Sequence, residues 1–64
     1  METVRALEGA GFGFRSQRGS HRKLRNTDGR TVIVPMHREL AQGTVRSVLK
    51  QAGLSDEQFR DLLS

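Results

Sequence analysis

Two histidines and a cluster of cations hold most of the chemistry that this sequence offers. His21 follows Gly19-Ser20 and heads the run Arg22-Lys23-Leu24-Arg25. From Arg15 to Arg30 the chain carries five arginines and Lys23 against a single acid, Asp28. A cation-rich strand is a contact surface for phosphate. Histidine is the side-chain type that gives and takes protons near neutral pH. RNA brings its own nucleophile, the 2′-OH. A protein that cuts it need only move that proton and stabilise charge on the phosphoryl oxygens. That route requires no metal and no cofactor. His21 is therefore the candidate catalytic residue, with Arg18, Ser20, Arg22, Lys23 and Arg25 as candidate RNA-binding residues.

Each of these residues also has a plainer reading. A lone strand histidine more often contacts phosphate, or nothing, than it catalyses. His37, after Pro35-Met36, is a possible secondary proton-transfer group, but a loop residue that orders the connector is the commoner case. Two histidines sixteen residues apart, with no cysteine and no clustered carboxylates, do not make a metal-ligand set. A basic strand can be only a solvated or edge-protecting face. Here the charge is lopsided, because Asp56, Glu57 and Asp61 face only Arg60 near the C-terminus.

The elements that must position these residues follow from the pattern. Val4 and Leu7 share a helical face in a short helix over 3–10. Phe12 to Ser16 alternates, which predicts a strand with Phe12 and Phe14 on the core face. That assignment leaves the basic patch without exposed aromatics for base stacking, so contacts to RNA backbone and shape fit better. Gln17-Arg18-Gly19 forms a turn, Ser20 to Asn26 a second strand, and Thr27-Asp28-Gly29 a second hairpin turn. On that second strand His21, Lys23 and Arg25 point one way and Leu24 the other. Thr31 to Val34 is a β-branched third strand, and Pro35, with no N–H, stops its ladder.

Val45, Val48, Leu49 and Ala52 form an amphipathic stripe, with Gly43 or Thr44 able to cap its start and Gly53 suited to its end. Ser55-Asp56-Glu57-Gln58 matches a capping box for a final helix, flanked by Leu54 and Phe59 at its staple positions. Phe59, Leu62 and Leu63 are expected to face the core. The two helices look like a helix-turn-helix, but the second is net acidic and would be repelled by DNA phosphate. The predicted fold is α+β in the order α-β-β-β-α with a short C-terminal helix. Sequential hairpins make the sheet antiparallel and three-stranded, with the helices on one face.

Composition sets the remaining bounds. Sixty-four residues with 34% hydrophobic content and three Phe make one domain, 1–64, with a small core. A net charge of +4 favours a polyanion or an acidic protein partner. There is no cysteine, hence no disulfide framework. The run Val32-Ile33-Val34 is far too short to span a membrane, and with no signal peptide in view the cytoplasm is the default expectation.

The words Gly11-Phe12, Arg18-Gly19-Ser20-His21 and Val32-Ile33-Val34-Pro35-Met36-His37 occur in an order that resembles the HicA (YcfA-like) toxin family. The likeness continues through Gly43-Thr44-Val45 and Gln51-Ala52-Gly53-Leu54 to Phe59. The resemblance implies a fold similar to double-stranded RNA-binding domains and activity as an mRNA interferase of a toxin–antitoxin pair. It implies that the histidine after Gly-Ser, here His21, is catalytic. It also implies a HicB-type antitoxin that covers the site and brings the complex to DNA only indirectly. Other members frequently carry residues ahead of the first helix, where this chain starts at Met1-Glu2-Thr3, so a short first helix is expected. They often have a histidine or an apolar residue where this chain has Arg22. Two other readings use the same basic strand: a non-catalytic double-stranded RNA-binding module, and a subunit that only docks an acidic partner.

Overall fold

The computed structural model of the chain describes residues 2–36 and 41–63; His37 lies outside them. Along these residues run α1 (Glu2–Gly9), β1 (Gly13–Arg18), β2 (His21–Arg25), β3 (Thr31–Pro35), α2 (Gln42–Ala52) and α3 (Asp56–Leu63). This is the expected α+β order, and the sheet is antiparallel in the order β1-β2-β3.

Turn chemistry sets the register. Arg18 pairs with His21, so the first hairpin closes through Gly19-Ser20 alone. Gly19 has φ 57°, and a two-residue hairpin of this kind takes glycine at its first position. The strand therefore runs two residues further than the alternation suggested, through Gln17 and Arg18. In the second turn the Asn26 side-chain oxygen accepts from the Asp28 N–H at 3.1 Å and the Arg30 N–H at 2.8 Å. Pro35 does not lie beyond the ladder but is its last residue, opposite His21. The Met36 N–H then donates to the Ser20 carbonyl.

Strand alternation divides the sheet into two faces. Leu24, Val32 and Val34 point toward the helices and are fully buried. With Val4, Leu7, Phe12, Val48 and Ala52 they form the core. α2 lies against β3, α1 and α2 pack with α3, and no helix packs extensively on β1. The C-terminus of α2 is tied to the sheet by Gln51, whose Oε1 accepts from the Ile33 N–H at 3.0 Å. The Gln51 carbonyl accepts from Arg30 Nη1 at 3.1 Å. Gly53 ends the helix with φ 72°, and a Cβ there would lie 3.0 Å from the Arg30 guanidinium carbon.

Several local expectations differ from the structure. Phe14 is 62% exposed and outside the core. Phe12 is not a strand residue: its N–H closes α1 by donating to the Leu7 carbonyl at 2.9 Å. The two rings therefore do not share a strand face. Phe14 does point to the helix side, opposite Leu24, but on an edge strand that the helices leave uncovered. Ala41, not Gly43 or Thr44, stands at the N-cap of α2 and makes no side-chain cap bond. The capping box of α3 forms as expected, with the Ser55 N–H on Gln58 Oε1 at 2.9 Å and the Gln58 N–H on Ser55 Oγ at 3.1 Å. Yet α3 packs on helices rather than the sheet, so Phe59 and Leu62 are half-buried and Leu63 is 44% exposed.

Candidate functional site

Among the described residues, nothing covers the face of the sheet away from the helices. On β2 it presents His21, Lys23 and Arg25, all exposed, at steps of about 7 Å. Cross-strand pairing extends this column into rows. Arg18 and Pro35 flank His21, Ser16 and Ile33 flank Lys23, and Gly13 and Thr31 flank Arg25. Directly opposed side chains lie about 5 Å apart. Arg18 is thus the immediate neighbour of His21 on the edge side. Ser16, Arg18, His21, Lys23 and Ile33 line one shallow hollow. Among the described residues, no acidic side chain forms an ion pair with Arg18, His21, Lys23 or Arg25. The positive field of this face is therefore left for an outside anion.

His21 owes its place to the tight hairpin. The turn leaves it as the first residue of the central strand, beside the last residue of β1 and the last of β3. Ser20 sits in the turn, exposed, its carbonyl engaged by Met36. The structure brings Arg18, Lys23 and Arg25 onto one face with His21. It does not bring Arg22 there. Arg22 is opposite Val34 and Gln17 on the helix side, half-buried. Its Nε–H donates to Gln17 Oε1 at 2.9 Å, and its guanidinium lies over the Phe14 ring, 5.6 Å from the centroid.

Sequence reasoning passed over two features. Ile33, 37% exposed, gives the hollow an apolar floor beside Lys23; its alternation with Val32 and Val34 was the available signal. The pairing of β1 with β2 also shifts between Phe14 and Ser16, a bulge that leaves Arg15 without a cross-strand partner on the open edge. Nothing in the sequence marks that shift.

This geometry can hold a phosphodiester backbone against a column of cations with an imidazole at its end. No curated protein matches this chain. A family model described as HicA toxin of bacterial toxin-antitoxin matches residues 1–54, which include α1, the whole sheet and α2. None of the helices is long and apolar enough to cross a membrane, among the described residues. The match covers 54 of the 64 residues, and the chain belongs to the HicA toxin family of bacterial toxin–antitoxin systems.

Proposed function

We propose that the chain is an endoribonuclease that cleaves mRNA without a metal ion, with His21 as general acid/base. The observation that carries this reading is the outer face of the sheet, where exposed His21 adjoins Arg18 and shares a column with Lys23 and Arg25. The 2′-oxygen of a bound nucleotide attacks its own 3′-phosphorus, and the bond to the next nucleotide's 5′-oxygen breaks. His21 takes the proton from the 2′-OH or gives one to the departing 5′-oxygen, and water carries the other transfer. Arg18 and Lys23 stabilise the charge that builds on the phosphoryl oxygens, and Arg25 holds the strand one step further along. Ser20 shapes the turn and offers a hydroxyl to the backbone. His37 is a candidate second proton-transfer group.

Family membership implies an antitoxin partner. In this reading it is a HicB-type protein that neutralises the toxin by covering the same face, where an acidic surface would meet the exposed cations. Contact with DNA would come only through that partner.

End-group analysis tests the mechanism. Products should carry 2′,3′-cyclic phosphate and 5′-hydroxyl ends. Products with only 3′-hydroxyl and 5′-phosphate ends would exclude attack by the 2′-OH. RNA that is bound tightly and stays intact would favour the binding-module reading instead.

A further inference from the structure

Phe14 is the one large aromatic that this fold leaves in the open among the described residues. An exposed phenyl ring on a strongly basic edge strand is not core packing, since Phe14 takes no part in the core. It is also not loosely held. The Gln17 Nε2–H donates to the Gly19 carbonyl at 3.0 Å, Gln17 Oε1 accepts from Arg22 Nε at 2.9 Å, and Arg22 lies over the ring. The hairpin turn that places His21 thereby fixes Gln17, which fixes Arg22, which backs one side of Phe14. With most of its surface exposed, the ring offers a flat apolar platform whose positive backing suits an electron-rich π system.

The surroundings lead from this ring back to the outer face. Phe14 borders a hollow lined by Gly13, Arg15, Arg25 and Asn26. Arg25 also ends the column that begins at His21, about 13 Å away along β2. Gly13, opposite Arg25, has no side chain to wall off the edge. A Cβ placed there would meet nothing closer than the Arg25 carbonyl at 4.0 Å. A single strand that follows His21, Lys23 and Arg25 thus meets an open corner, lined by Arg15, with Phe14 on its far side.

We propose that Phe14 is a base-stacking residue, backed by Arg22, which makes this protein prefer single-stranded RNA over duplex. The proposal rests on the ribonuclease reading above and adds its substrate class. Aromatic stacking tolerates any base and requires that the base be unpaired. A duplex keeps its bases stacked inside and can use only the cationic column.

The test uses a fluorescent 2′-O-methyl oligoribonucleotide, which lacks the nucleophile and stays intact, as a single strand and as a duplex of equal length. Wild type, Phe14→Ala, Phe14→Leu and Phe14→Trp are titrated by anisotropy, with melting temperatures measured alongside. Phe14→Ala and Phe14→Leu should weaken single-strand binding by about 5- to 150-fold, the range of one lost stack. Phe14→Trp should bind at least as tightly as wild type. The salt dependence of single-strand binding should be unchanged, since no phosphate contact is lost. Duplex binding should not change. Phe14→Leu and Phe14→Trp keep an apolar side chain, so a fold defect in the alanine variant cannot imitate the pattern. Equal single-strand affinity in all four proteins would overturn the proposal and leave the ribonuclease reading intact. So would equal losses on strand and duplex. Failure of wild type to bind either RNA would overturn the proposal together with the reading beneath it.

Discussion

Adjacent substitutions on β2 should have opposite consequences, because the strand puts neighbouring residues on opposite faces. Leu24 is fully buried between the helices and the sheet, whereas Lys23 is exposed in the column with His21. Leu24→Ala removes buried methyl groups and leaves a cavity, a change that costs about 2–5 kcal/mol. A chain of 64 residues has a total stability of about 3–10 kcal/mol. Lys23→Ala should stay within about 0.5 kcal/mol of wild type. In urea unfolding, with a slope of about 1 kcal/mol per molar for so small a domain, Leu24→Ala should lower the midpoint by about 2–5 M or leave no folded baseline. Lys23→Ala should move it by less than about 0.5 M. A slip of one residue in the register would exchange the two faces. A larger loss from Lys23→Ala than from Leu24→Ala would therefore refute both the register and the outward placement of His21.

Other expectations follow from single contacts. Gly53→Ala should destabilise by at least about 1–2 kcal/mol, since an L-residue is strained at φ 72° and its Cβ would press on Arg30 at 3.0 Å; a thermal melt reads this directly. Ser55→Ala removes the acceptor for the Gln58 N–H and should cost about 1 kcal/mol, seen as faster amide exchange at Gln58. Lys23→Ala and Arg25→Ala should each weaken RNA binding regardless of sequence and lower the salt slope by about one, measured by anisotropy across a salt series. An unchanged slope in both variants would take the column out of phosphate contact.

What the sequence revealed was mostly local. Glycine at Gly19, the Thr27-Asp28-Gly29 turn and the Ser55–Gln58 box each act through a few neighbouring atoms, and those neighbours are adjacent in the chain. Period-two alternation was enough to separate Leu24 from His21, Lys23 and Arg25. The same period also sets Arg22 beside Leu24, a consequence visible in the sequence once the strand is accepted. Phe14 was not legible. Its spacing from Phe12 imitates a strand face, while the closure of α1 takes Phe12 out of the strand altogether. Its exposure further depends on which strand the helices cover, a tertiary matter on which no local pattern reports. Leu63 was misread for a related reason, because an amphipathic helix shows which face is apolar but not how much surface its neighbours can cover.

The catalytic role of His21 is tested most directly by cleavage of a long unstructured mRNA by wild type and His21→Ala in EDTA, after circular dichroism shows both to be folded. His21 is exposed, so its replacement should leave the fold intact. Cleavage by wild type and none by His21→Ala is the expected result, since His21 is placed as the proton-transfer group. Cleavage by a folded His21→Ala protein, or a wild type that binds the RNA and leaves it whole, would contradict it.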